Sequence, residues 1–335
     1  MKRSSGSFFS LIFFALPGSV FAQPALKWVN ADTAFGDLPA SVHVYQTKDL
    51  LDGKPNLAYY VIADLSDQKL LFTTDTTLFR RMTPAQFYER NNKPPLVVNC
   101  TFFSFATNQN LNTVIKDGRQ LGYTVHTIAG KGKDTLTYKH PFGSAIGISK
   151  RRKADIAWLY TDSALKYPLA WDHPVEPVVD SSLLFDFSTG KKIRRVLKQT
   201  GRNSRQGNGY KWKMQTAVGG GPVLLQNGKI SIANNSELKF TGNAIHDKHP
   251  RTAMGYTADN KLIILAIEGR NPGIGEGATL TQVATILQQL GCIEGLNLDG
   301  GGSSCLLING KETIRPSDRG VERPVPAVFL ITERQ

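Results

Sequence analysis

Cysteine is scarce in this chain: Cys100, Cys292 and Cys305 are the only three among 335 residues. An odd, scattered set excludes a disulfide framework and a cysteine-built zinc cluster. Cys292 and Cys305 flank a glycine-rich turn, and an oxidising compartment would allow a bond between them. The simpler reading is three small buried hydrophobes. Long apolar runs are missing as well. After residue 22 no segment approaches the roughly 20 apolar residues that a spanning helix needs, so no transmembrane segment is expected in the mature chain. Acidic residues are in deficit, 27 Asp and Glu against 40 Lys and Arg, for a formal charge of +13. Such an excess draws a protein to phosphorylated glycans, other anionic polymers or a membrane surface. Nucleic acid is not the expected partner, because no recognisable binding module or basic helix accompanies the charge. Internal repeats and Pro/Ser/Gly-rich linkers are also lacking, so no composition shift certifies a domain boundary.

What the chain does carry begins with an export signal. Lys2 and Arg3 precede the apolar run Phe8 to Leu16, and Val20-Phe21-Ala22 supplies a small-residue site, so cleavage is expected after Ala22 and the mature protein is expected in the periplasm or outside the cell. Residues 1–22 are then the signal peptide, 23–95 an N-terminal strand-rich part of the core, and 96–335 the main domain. Within it, Lys150 to Lys153, Lys191, Lys192, Arg194 and Arg195 mark about 150–205 as a basic insertion or lobe.

Strand patterns dominate: Leu57 to Asp64, Leu70 to Thr74, Leu96 to Asn99, Ala145 to Ile148, Val223 to Leu225 and Lys261 to Glu268. The first two are expected to form a hairpin across Ser66-Asp67-Gln68. Asp117-Gly118, Asn227-Gly228 and Asn309-Gly310 supply the positive φ angles of two-residue hairpin turns. Two helices are expected. Thr279 and Gln282 stand at capping-box spacing before Leu280 to Leu290, with Gly291 as a stop, and Thr83 to Arg90 has Pro84 suited to a first turn. The fold class is α+β, a strand-rich core of mixed or antiparallel sheet with few helices.

The segment with the most chemistry is Leu296-Asn297-Leu298-Asp299-Gly300-Gly301-Gly302-Ser303-Ser304. It ends an apolar strand on a carboxylate and follows it with three glycines, which let main-chain N–H groups approach a ligand. A second strand ends on Glu268-Gly269-Arg270. Arg251 opens another, and a guanidinium fork suits phosphate or carboxylate. Asn99 to Phe103 places an amide and two rings after a buried strand. Gly219-Gly220-Gly221-Pro222 is a glycine cluster whose ordinary explanation is a tight backbone crossing. His246 and His249 have no metal-ligand pattern around them and are read as structural or solvated. Ser303 lacks the Gly-x-Ser-x-Gly elbow of a serine hydrolase.

In this order the set resembles the phosphodiester glycosidase family. The resemblance rests on Asn99 to Phe103, Gly219 to Pro222, Arg251 to Gly255, Glu268 to Arg270 and Asn297 to Ser304, and spans roughly Leu96 to Ile331. It implies hydrolysis of the sugar C1–O–phosphate bond of a sugar-1-phosphodiester or phosphorylated glycan, giving free sugar and a phosphomonoester. A phosphate ester leaves without much protonation, so the demand falls on a cationic sugar and a departing phosphate. Asp299 is then nucleophile or base, and Glu268 the second catalytic carboxylate. Arg251 and Arg270 hold phosphate, while Asn99, Phe103, Gly220, Gly221, Gly300, Gly301, Gly302, Ser303 and Ser304 bind substrate. No cofactor is obligatory, although carboxylates and phosphate together suit a divalent cation. Two alternatives compete: an envelope glycan-binding protein without turnover, and a metal-dependent phosphodiesterase that breaks the P–O bond.

Overall fold

The structure is a computed structural model and describes residues 24–181 and 209–334. The expected signal peptide and the basic residues 191–195 lie outside that range. Among the described residues every paired strand runs antiparallel, so the sheet core is antiparallel rather than mixed. The Asp-Gly and Asn-Gly turns form as expected. Asp117, Asn227 and Asn309 take φ of 52°, 52° and 47°, and Lys116 pairs Arg119, Leu225 pairs Ile230 and Ile308 pairs Lys311.

Three sheets share the main core. An eight-stranded sheet has at its centre Ala58–Asp64, Lys261–Ile267, Arg251–Thr257 and Cys292–Asn297, in that order. A seven-stranded sheet centres on Ala154–Tyr160, Gly143–Ser149 and Met214–Gly219, and a five-stranded sheet on Leu96–Asn99 and Ala327–Glu333. Val44, Val61, Met254, Leu296, Ile146, Trp158, Val98 and Phe329 meet in one buried cluster drawn from all three.

The run Leu262 to Ile267 is continuously apolar because both its faces are covered. Leu262, Ile264 and Ala266 join the inter-sheet core, while Ile263, Leu265 and Ile267 pack under the helix Leu280–Gln289. Complete burial of each of these Leu and Ile side chains contributes about 1.5–3 kcal/mol. Thr279 and Gln282 close the capping box of that helix, and Thr83 and Gln86 do the same for Pro84–Arg90.

Two expectations fail for identifiable reasons. Ala58–Asp64 and Leu70–Thr76 are not a hairpin: the first pairs with Val42–Thr47 and Lys261–Ile267, the second with Ala327–Glu333. The turn between them is a corner where the chain changes sheets. Its carbonyls at Leu65, Asp67 and Leu70 all accept from the Arg152 guanidinium, which gives one member of the basic run a structural task. The span 150–205 also does not begin as a lobe. Ala154–Tyr160 and Leu169–Trp171 are strands of the seven-stranded sheet, and Trp158 and Trp171 are almost wholly buried. The charges of residues 150–153 mask the apolar run that follows them. All three cysteines are buried free thiols, so Cys292 and Cys305 are not bonded.

Candidate active site

Antiparallel pairing builds the site. Arg251–Thr257 lies between Lys261–Ile267 and Cys292–Asn297, with Arg251 opposite Ile267 and Ala253 opposite Asn297. The first residue of the middle strand and the residues just past the ends of its neighbours therefore fall at one edge of the sheet. Arg251, Glu268, Arg270 and Asp299 are gathered there by topology, although 48 residues separate Arg251 from Asp299.

A cavity of about 230 Å³ opens at this edge, lined by Asp299, Arg251, Arg270, His249, Phe102 and Asn297 together with Phe240, Ala244, Gly300 and Gly301. Asp299 is set by its backbone. Its N–H donates to the Cys100 carbonyl (2.8 Å), and its carbonyl accepts from Asn99 Nδ2 (2.6 Å). Burial is the largest influence on its carboxyl and pushes the pKa up to about 7, against the hydrogen bond from Ser303, the charge of Arg323, the Gly300 N–H and the charge of Lys239, all of which lower it.

Arg251 is a buried cation without a carboxylate within salt-bridge distance among the described residues. Nε donates to the Ala278 carbonyl (2.8 Å) and Nη2 to that of Asp247 (2.9 Å). Desolvation lowers its pKa to about 10. Arg270 makes no ion pair among the described residues, and its Nη2 lies 3.4 Å from His249 Nδ1. Burial first, and then the charges of Arg251 and Arg270, lower the pKa of His249, which favours the neutral ring as an acceptor at that contact. Asn297 donates Nδ2 to the Gly221 carbonyl (2.8 Å), while its Oδ1 is buried with no hydrogen-bond partner.

The other expected site residues are placed away from the cavity. Glu268 is buried: Oε1 accepts from Asn271 Nδ2 (2.6 Å) and Oε2 from the Arg315 N–H (2.8 Å), so it ties two loops together. Asn99 uses its whole amide internally, since Oδ1 accepts from Thr252 Oγ1 (2.8 Å) and the Cys305 N–H (3.0 Å). Phe103 packs in the core with Phe87, Val97 and Leu307. Its neighbour Phe102, one residue out of phase, faces the cavity instead.

Gly220 and Gly221 mark the backbone crossing. A Cβ on Gly220 would be driven into the Asn297 carbonyl, and one on Gly221 into the Glu237 carboxylate. Of the glycine N–H groups, Gly300 serves Asp299 itself and Gly301 donates to the Pro250 carbonyl (2.8 Å). Gly302 is the bed for the Arg323 guanidinium. Ser303 supports Asp299 from behind, and Ser304 Oγ is buried without a partner.

Sequence reasoning missed Glu237 and Lys239. Glu237 is buried and accepts from Ser144 Oγ (2.7 Å), Trp158 Nε1 (3.1 Å) and the Val223 N–H (2.8 Å), and burial raises its pKa to about 7. Lys239 Nζ lies 4.8 Å from the Phe102 ring centroid, and its charge acts on both Glu237 and Asp299. The polar stretch Asn234-Asn235-Ser236-Glu237 carries no pattern that announces a buried acid. Among the described residues no three His, Cys, Asp or Glu side chains gather as a metal cage. A cation at this site would find Asp299 and substrate oxygens as its ligands.

Residues 178–332 match the family model described as NAGPA, phosphodiester glycosidase. The mouse N-acetylglucosamine-1-phosphodiester alpha-N-acetylglucosaminidase is 31% identical over 103 residues, which are 28% of this chain and 20% of the mouse protein. The SPbeta prophage-derived uncharacterized protein YomE of Bacillus subtilis is 40% identical over 85 residues, 25% of this chain and 13% of YomE. This chain thus spans a fifth or less of these relatives. Two solved structures share the fold. The catalytic domain of the zebrafish N-acetylglucosamine-1-phosphodiester alpha-N-acetylglucosaminidase, auto-inhibited by its pro-peptide, aligns with 93% of this chain and 89% of its own at TM-score 0.52 and 19% identity. A hypothetical protein from Synechocystis covers 93% of this chain and 64% of its own at TM-score 0.57 and 16% identity. Through residues 178–332, which hold Arg251, Arg270, Asn297 and Asp299, this chain is similar to the phosphodiester glycosidase family.

Proposed function

We propose that this protein is an exported glycosidase that hydrolyses the C1–O–phosphate bond of a sugar-1-phosphodiester, releasing free sugar and a phosphomonoester. The observation that carries the reading is Arg251, a buried guanidinium with no carboxylate partner among the described residues, lining the same cavity as Asp299. A desolvated cation left unpaired is costly unless an anion completes it. Arg251 and Arg270 hold the phosphate and neutralise its charge as it leaves. Asp299, in its ionised form, is the nucleophile or the base that activates water. Asn297 Oδ1 accepts from a sugar hydroxyl, and Phe102 and Phe240, with ring centroids 6.0 Å apart, offer an apolar wall to the ring. Glu268 and Asn99 act as positioning residues, and the glycines let chains cross closely.

The test is a panel of sugar-1-phosphodiesters incubated in ¹⁸O-water with and without chelator. Label in the released sugar is the expected result. Label in the phosphate would make the protein a phosphodiesterase, and binding without cleavage would make it a glycan-binding protein. Loss of turnover on chelation would add a divalent cation at Asp299.

A further inference from the structure

A second cavity, of about 360 Å³, opens beside the first between residues 269–271 and 315–320. Arg270 lines both. The walls are joined by the buried Glu268, whose two oxygens bind Asn271 on one side and the Arg315 N–H on the other. Arg270, Arg315 and Arg319 all line this space. Arg270 and Arg319 hold backbone φ of 60° and 58°, a left-handed conformation that side-chain-bearing residues rarely adopt and that concentrates at ligand sites. The nearby carboxylate, Asp318, binds Arg323 Nε at 2.8 Å, and the charges of Arg319 and Arg270 act on it only from beyond ion-pair distance. Neither Arg270, Arg315 nor Arg319 makes an ion pair among the described residues. Ser317 Oγ, also in the lining, is buried without a hydrogen-bond partner.

We infer that this cavity is a second anion subsite, which takes a further phosphate group carried by the same substrate as the scissile phosphodiester. Three guanidinium forks and a hydroxyl match the several oxygens of a phosphate better than the two of a carboxylate. The inference rests on the proposed function for the word substrate, but the site itself is a matter of anion binding. Its consequence is a preference for phosphorylated glycans or phosphoester polymers over substrates with one phosphate. Arg270, shared by both cavities, would stand between the two charges.

The test pairs Arg315→Gln with Arg319→Gln, both exposed side chains, and titrates inorganic tripolyphosphate calorimetrically at low salt. Binding is expected to weaken at least about tenfold relative to the unaltered chain, the scale of losing charged hydrogen bonds. A control that removes the same charge elsewhere, Arg119→Gln with Lys229→Gln, is expected to stay within about twofold. Unchanged binding by the first pair, or equal weakening by both pairs, overturns the subsite. In turnover assays, the ratio of kcat/KM for a substrate with a second phosphate over one without should fall about tenfold in the Arg315/Arg319 pair, and an unmoved ratio also overturns it. If the unaltered chain cleaves neither substrate, the glycosidase reading fails while the calorimetry still decides the subsite.

Discussion

Asp299 has a carboxyl group whose burial outweighs every neighbour that favours its charge, and two measurements expose that imbalance. Asp299→Asn should leave the protein folded and reduce turnover at least about a hundredfold, the magnitude of lost acid–base or nucleophilic assistance. Near-normal turnover would remove Asp299 from the mechanism. With the pKa at about 7, kcat/KM should rise with pH below that value and level off above it, provided the ionised form reacts. The stability argument has the opposite slope. The folded protein keeps the Asp299 proton up to about pH 7, whereas the unfolded chain sheds it near 3.8, so this contribution is present at low pH and lost as pH rises through 7. Asn, which has no proton to lose, should therefore make the protein more stable than the unaltered chain at pH 8, by up to about 4 kcal/mol, and little at pH 4. Denaturant titrations at the two pH values test this.

The strands and loops that carry these groups have their own energetics. Glu268→Ala orphans the Arg315 N–H and frees Asn271, and should cost about 1–3 kcal/mol in chemical denaturation while reducing turnover much less than Asp299→Asn. Equal losses from the two would restore Glu268 as a catalytic acid. Gly220→Ala forces a Cβ into the Asn297 carbonyl, and backbone cannot move aside as a flexible side chain would. A destabilisation of about 2–4 kcal/mol is expected, read as a lowered Tm. The strand periods, the Asn-Gly turns and the capping boxes at Thr83 and Thr279 were legible because each depends on residues within a few positions. The turn at Ser66 to Gln68 has local hairpin chemistry, but Ala58–Asp64 pairs instead with Val42–Thr47 before it and with Lys261–Ile267, and Leu70–Thr76 pairs with Ala327–Glu333, the last two some 200 residues or more away.

The molecule as a whole is a strong base, with 40 Lys and Arg against 27 Asp and Glu. Its field should draw anionic substrates, so kcat/KM should fall as salt rises from about 10 mM to 500 mM, where screening shortens from about 30 Å to a few ångströms. No salt dependence would mean that binding relies on contact alone. The amino-acid order was enough to establish a strand-rich chain, to single out Asp299, Arg251 and Arg270, and to suggest the family, because apolar period, turn residues and motif spacing are properties of short segments. Which side of Phe102-Phe103 faces out, that Asn99 and Glu268 spend their polar atoms inside, and that Glu237 and Lys239 stand behind the cavity came only with folding. Those facts depend on which strands become neighbours and on where water is excluded, and both are set by contacts between residues far apart in the chain.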